Sequence, residues 1–170
     1  MRRRGAAIAA AVAALVLLSD QVTKYLVRTS MGASGTSVSV LGDLLRLTFT
    51  RNAGAAFGML PGSTALFIPV HVVVLACIVV YLARRHPRRP WVIVALGLVA
   101  GGALGNLADR VFFGWVTDFI QVPFGFPVFN LADSAIVVGV AMLVWWLLFG
   151  PAPAAAAECE PEPPSGQDTP

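Results

Sequence analysis

"LFIPVHVVVLACIVVYLARRHPRRPWVIVALGLVAGGALGNL" occupies Leu66–Leu107. Two apolar runs, Leu66–Ala83 and Trp91 to about Leu107, flank the basic segment "RRHPRRP", Arg84–Pro90. A chain crossing hydrocarbon must satisfy its own backbone polar groups, so runs of this length read as membrane helices. Gly101, Gly102 and Gly105 line the second run. They predict close helix packing, which small residues permit in membranes.

Two further runs lie on either side. Ala132–Phe149 carries Trp145 and Trp146 near its end, residues suited to the membrane interface. The N-terminal run, Ala6–Leu18, follows Arg2, Arg3 and Arg4 and resembles a signal peptide in its basic start and short apolar region. Its thirteen residues fall short of the roughly 20 that a hydrocarbon core needs. No small-x-small cleavage site follows, however, and Val22, Tyr25 and Leu26 continue the apolar pattern. One helix from about Gly5 to Arg28 is expected, with a polar outer third. The fold class is therefore an all-α membrane protein with four transmembrane helices, at about 5–28, 66–83, 91–107 and 132–149, in one domain spanning 1–150.

Composition agrees with a bilayer as solvent. The chain has 170 residues, of which 57% are hydrophobic and 12% charged, with a mean hydropathy of +0.77. A soluble domain of this size has too little interior for that much apolar surface. The net charge of +3 matters by position: seven of the twelve Lys and Arg residues sit in the N-terminus and the 84–90 loop. The positive-inside rule makes both segments cytoplasmic, and four spans return the C-terminus to the same side. Segments 29–65 and 108–131 are then extracytoplasmic. In the first, "SVSVLGDLLRLTFT" (Ser37–Thr50) alternates around Gly42-Asp43, predicting a small β-hairpin or sheet element on the bilayer surface. "AGAAFGM" after it is a short interfacial helix or a turn. The tail from 151 to 170 is Pro-rich and acidic and is expected to be disordered. Cys77 and Cys159 imply no disulfide framework, and "VLAC" at Cys77 lies too deep in a span to be an acylation box. No metal-ligand spacing occurs, so neither metal nor cofactor is expected, and nothing points to nucleic acid.

The polar residues are few. Asp20 and Lys24 are four apart on the first helix and share a face, which predicts a salt bridge. Asn52 lies in an Asn-Ala-Gly turn pattern. Asn106, Asp109 and Arg110 close the third helix, where Asp109 and Arg110 read as a helix-end ion pair. His71, alone among Val and Ile, reads as a packed neutral ring. Asp118 and Asp133 are the informative pair. Taken singly, Asp133 is an N-terminal helix cap and Asp118 a loop acid. Yet both are flanked by apolar residues, among them Phe119, Ile120, Phe129 and Leu131, and neither has a cation beside it in sequence. Two carboxylates in a partly dehydrated pocket do not both ionise readily. One keeps a proton, the other acts as base, and a water between them becomes a nucleophile. That is aspartic peptidase chemistry.

Five segments, "SDQVTKYLV" (Ser19–Val27), "RNAGAAFGM" (Arg51–Met59), "GGALGNLADR" (Gly101–Arg110), "VTDFI" (Val116–Ile120) and "FNLADSAI" (Phe129–Ile136), together resemble the lipoprotein signal peptidase family, also called signal peptidase II. They occur in the family's order and cover nearly the whole chain except the tail. The resemblance implies a multi-pass enzyme of the bacterial plasma membrane, with its active site near the extracytoplasmic face. It implies cleavage of the signal peptide from diacylglyceryl-modified prolipoproteins, just before the lipidated cysteine. It further implies that Asp118 and Asp133 are catalytic, and that Asn52, Asn106, Arg110 and Asn130 shape the site for substrate and for a globomycin-type inhibitor. Asp20, Lys24 and Asp109 would support the structure, and membrane lipids would be partners. The stretch between the two aspartates is short for the family, and the acidic tail has no counterpart in its motifs.

Three other readings compete. A Ser/Lys peptidase would use Lys24 with Ser19 or Ser134, but an acid one turn away makes Lys24 a poor base. A small transporter or channel subunit would use intramembrane Asp, Lys and Arg, but these cluster at one side and form no path across the bilayer. A structural assembly factor would tolerate Asp→Asn changes at 118 and 133.

Overall fold

The computed structural model describes residues 2–54, 64–87 and 89–150. Four helices run in chain order with a small sheet between them: α1 (Arg2–Ser30), β1 (Ser37–Leu41), β2 (Leu45–Asn52), α2 (Thr64–Arg85), α3 (Pro90–Phe113), β3 (Val116–Gln121) and α4 (Leu131–Phe149). All four helices are long and apolar enough to cross a membrane. Most of the "AGAAFGM" stretch and all of the tail from 151 to 170 lie outside the described residues.

Helix α3 is the hub. In its most apolar stretch 61% of residues are buried, against 17% in α1 and α4 and 6% in α2, so the outer three are enclosed by the bundle far less than α3 is. Small residues make this centre possible. A Cβ on Gly101 would lie 2.7 Å from the Ala13 carbonyl of α1, and one on Gly102 would fall on the Ala132 carbonyl of α4. Pro90 opens α3 where its missing N–H costs nothing. Gly114 ends it in the left-handed region (φ 79°), its N–H bonded to the Arg110 carbonyl.

The helix thus runs six residues beyond Leu107. The polar residues expected to close it are instead in its body, because Asn106, Asp109 and Arg110 all sit on its buried face and find partners on other elements.

The hairpin over Ser37–Thr50 is present as β1 and β2, and β3 joins it to make a three-stranded antiparallel sheet in the order β1-β2-β3. Val116, Thr117, Asp118 and Phe119 are all buried, so this strand carries no polar/apolar alternation to mark it in sequence. Phe49 and Phe119 pack on Val27 of α1 and fix the sheet to one end of the bundle. Beyond β3 the chain loops back. Phe129 exchanges backbone hydrogen bonds with Ile120, which brings Asn130 and the start of α4 against the strand carrying Asp118.

Candidate active site

Asp118 stands in the middle of β3, opposite Thr50 of β2, and is 2% exposed. Its neighbour Thr117 is clamped from two sides. The Thr117 backbone N–H donates to Asp109 Oδ2 at 2.8 Å, and Arg28 donates to the Thr117 hydroxyl at 2.8 Å. Strand β3 is therefore tied to α3 and α1 one residue before the acid. The Asp118 carboxylate accepts Asn52 Nδ2 at 2.9 Å and Asn130 Nδ2 at 2.6 Å. Burial pushes its pKa up to about 6, with the nearby Asp133 charge adding to the rise and the two amide donors opposing it.

Asp133 is the third residue of α4. Expected as a possible cap, it is instead the far half of a capping box: Asn130 is the N-cap and accepts the Asp133 N–H at 2.9 Å, while Asp133 Oδ2 accepts the Asn130 N–H at 3.2 Å. Its other oxygen, Oδ1, accepts Asn106 Nδ2 at 2.7 Å. Asn130 thus touches both acids, and its Nδ2 also reaches Asn106 Oδ1 at 3.2 Å.

Behind the acids lies an ionic cluster in which Asp20, Lys24 and Asp109 are fully buried. Lys24 Nζ donates to Asn106 Oδ1 at 2.9 Å and sits 2.8 Å from Asp20 Oδ2 and 3.5 Å from Asp109 Oδ2. Three donors meet three acceptors, the arrangement a buried ammonium requires. Asp20 spends its other oxygen on the Ala132 N–H, at 3.0 Å, one of the free donors of the first turn of α4. Arg28 completes the cluster at 3.4 Å from Asp109. Asp109 thus pairs with two cations of α1, and the expected helix-end pair with Arg110 does not form. Successive residues on a helix point about 100° apart, so Arg110 turns elsewhere. It donates to the carbonyls of Asn106 and Gly54 and lies over the Phe67 ring.

All nine residues singled out from the sequence, Asp20, Lys24, Asn52, Asn106, Asp109, Arg110, Asp118, Asn130 and Asp133, are joined in this one network. Not singled out from the sequence are Gln21, Arg28, Thr117 and the role of Gly105. Gln21 donates to Asp20, to the Gly105 carbonyl and to Asp109. A Cβ on Gly105 would lie 2.5 Å from Asp20 Oδ2, so glycine there keeps the carboxylate in place. Arg28 carries a usable signal, being one turn beyond Lys24 on the same face. Thr117 carries none.

Asn52, Asn106, Arg110, Asp118 and Asp133 line one cavity of about 640 Å³, a size suited to binding an extended ligand. Its other walls are apolar and include Phe67, Phe126, Val137 and Val138. Val137 and Val138 are also on the exposed flank of α4, so the cavity reaches the lipid-facing surface. His71 lines it too, half-buried, with Nδ1 2.6 Å from the Phe67 carbonyl. Among the described residues no group of three or more His, Cys, Asp or Glu is placed to hold a metal. Among the described residues no serine hydroxyl is a partner of Lys24, and the Ser134 hydroxyl donates to the Asn130 carbonyl.

The family model for signal peptidase (SPase) II matches residues 12–149, which contain every residue of this site. The chain belongs to the signal peptidase II family. It is 48% identical over 137 residues to a lipoprotein signal peptidase of Pelotomaculum thermopropionicum, covering 81% of this chain and 89% of that protein. It is also 48% identical over 139 residues to one from Moorella thermoacetica, covering 81% and 90%. Among solved structures, a bacterial membrane enzyme determined by the in meso method at 2.3 Å resolution shares the fold with a TM-score of 0.78 and 37% identity, over 82% of this chain and 87% of that one. Four apolar helices and these membrane-enzyme neighbours make the chain a multi-pass membrane protein.

Proposed function

We propose that the chain is an intramembrane aspartic endopeptidase. It removes the signal peptide from diacylglyceryl-modified prolipoproteins, cutting just before the lipidated cysteine. The observation that carries the mechanism is the pair of acids, Asp118 and Asp133, both lining a single cavity and bridged by Asn130. Charge balance supports one shared proton. Asp20 and Asp109 are matched by Lys24 and Arg28, which leaves Arg110, the one cation among the described residues that line the cavity, to face Asp118 and Asp133. One proton on the pair makes that half of the site neutral.

The ionised acid takes a proton from a water as its oxygen attacks the scissile carbonyl. The protonated acid donates to the developing oxyanion. Collapse of the tetrahedral intermediate breaks the C–N bond, the leaving nitrogen takes up a proton, and the pair returns to its singly protonated state. No microscopic role is assigned within the pair, whose protons belong to both groups. Asn52, Asn106 and Arg110, which line the cavity, bind substrate, and a globomycin-type inhibitor would compete there; Asn130, buried beside them, shapes the site by holding both acids. Asp20, Lys24 and Asp109 support the acids from behind.

Lateral opening to lipid suits a substrate whose signal peptide is itself a membrane helix. The basic N-terminus and 84–90 loop put both termini in the cytoplasm of a bacterial plasma membrane and the acids near the extracytoplasmic face. The deciding experiment offers purified protein a lipidated and an unlipidated precursor of the same sequence. Cleavage of the lipidated precursor at the bond before cysteine is expected. Equal cleavage of both precursors, or of neither, would overturn the assigned substrate.

A further inference from the structure

A second cavity lies far from the acids. It measures about 490 Å³ and runs between α1, α2 and α3 toward the end of the bundle that carries the 84–90 loop. Ala6, Ala10 and Ala13 of α1 form one wall, Ile78 and Leu82 of α2 the other, and Leu96 of α3 the floor. Alanines on α1 leave a gap where larger residues would close it. Val79, on the lip, is 63% exposed, so the groove opens sideways to lipid. His86 stands at its mouth.

The charges around that mouth are unbalanced. A Cβ on Gly5 would lie 3.4 Å from the Pro87 carbonyl, so the N-terminal end of α1 and the 84–90 loop meet in space. Arg4, Arg84, Arg85 and Arg89 lie within three residues of that meeting point in sequence, and among the described residues none of them is in an ion pair. The described acids are elsewhere: Asp20, Asp109, Asp118 and Asp133 belong to the active-site network and Asp43 to the β1–β2 turn. Arg85 follows Ile78 and Leu82 at helical spacing, which carries the apolar stripe of α2 into a cation.

We propose that this groove binds an anionic phospholipid, one acyl chain lying between α1 and α2 and the phosphate held by Arg85, Arg89 and His86. An apolar slot capped by clustered cations matches a ligand with a long apolar chain and a negative head. The acidic tail of the chain is the other source of negative charge. Between 151 and 170, however, it has no Leu, Ile, Val, Met or aromatic residue to fill the slot.

The test is native mass spectrometry of the full-length protein in detergent, titrated separately with phosphatidylglycerol and phosphatidylcholine of identical chains. One phosphatidylglycerol should be retained in clear preference to phosphatidylcholine. Arg85→Gln and Arg89→Gln should each weaken its retention about fivefold, the loss expected for one cation at an anionic lipid surface. Ala10→Phe should fill the slot and abolish retention. None of the three touches the active-site cavity, so their cleavage activity also reports that they are folded. Equal retention of the two lipids, or unchanged retention in Ala10→Phe, would overturn the proposal.

Discussion

Asn130 donates its side-chain Nδ2 to Asp118 Oδ1 at 2.6 Å. The same residue is the N-cap of α4 and exchanges two hydrogen bonds with Asp133. One residue therefore fixes both acids, its side chain holding Asp118 on the strand and its backbone N–H holding the Asp133 carboxylate on the helix. The relative position of the two carboxylates is built into the way α4 begins.

Asp118→Asn and Asp133→Asn should each lower the cleavage rate by about 10²–10⁴-fold or more, the range expected for loss of a general acid or base. Both should fold. At position 118, Asn removes a buried carboxylate whose ionisation opposes folding, but it leaves either Asn52 or Asn130 without an acceptor. These effects have opposite sign and are each about 1–3 kcal/mol, so they largely cancel. At position 133, Asn keeps an acceptor for the capping box. Rates measured on purified variants of matched helicity decide the matter, and substantial turnover by either variant would falsify the dyad.

The raised pKa of Asp118 gives a pH dependence with a definite sign. Its folded value of about 6 lies above the ordinary 3.8, so the proton is held more tightly in the folded protein. The associated stability is full below pH 3.8 and is lost as pH rises through about 6. The singly protonated pair is lost over the same upper range, so kcat/KM should decline on the alkaline side. Asn52 donates to the Asp118 carboxylate and favours the charged form. Asn52→Ala should therefore move the alkaline limb to higher pH, whatever it does to the maximum rate. A limb that stays put or moves down would separate Asp118 from the pH profile.

Much of this arrangement is legible in the amino-acid sequence, for identifiable physical reasons. Leu66–Leu107 declares two helices because hydrocarbon thickness sets a minimum apolar length. Asp20 and Lys24 declare their pairing because four residues make about one helical turn. Where partners come from distant elements, local spacing is silent. Asn106, Asp109 and Arg110 read as the end of α3 because isolated polar residues end a membrane span, yet α1 and the sheet supply partners that let the helix continue. Strand β3 leaves no alternating pattern because both its faces are covered. Thr117 binds Arg28 across 89 residues of chain, a contact that no window of sequence contains.

The orientation in the membrane is open to a chemical test. In a background with Cys77→Ala and Cys159→Ala, single cysteines at His86 and Ser34 report the two ends of the bundle. Both positions are at least partly exposed. With intact cells and an impermeant thiol reagent, Ser34→Cys should label and His86→Cys should not. The reverse pattern would put the acids on the cytoplasmic side and remove them from a substrate that has already been exported.

The last prediction separates support from catalysis in the cluster behind the acids. Asp20 and Lys24 are fully buried and 2.8 Å apart, and Asp20 also holds the Ala132 N–H at the start of α4. Removing one partner takes the nearest counter-charge from the other in a fully buried site, and breaking a buried pair costs about 3–5 kcal/mol. Asp20→Ala or Lys24→Ala alone should therefore sharply reduce the yield of folded protein. The double variant should be less harmful than the sum of the two, because the second change removes the buried charge that the first deprived of its nearest partner. It will not be neutral, since Asp109 and Asn106 then lose Lys24 and α4 loses its extra acceptor. Activity per folded molecule should fall less than in the Asp118 or Asp133 variants, because neither group lines the cavity. Thermal unfolding and single-turnover cleavage, measured on the same four preparations, provide both numbers. Strictly additive losses of stability would mean that the two side chains are not coupled. A well-folded Lys24→Ala protein with no activity would make Lys24 a participant in the chemistry rather than a brace behind it.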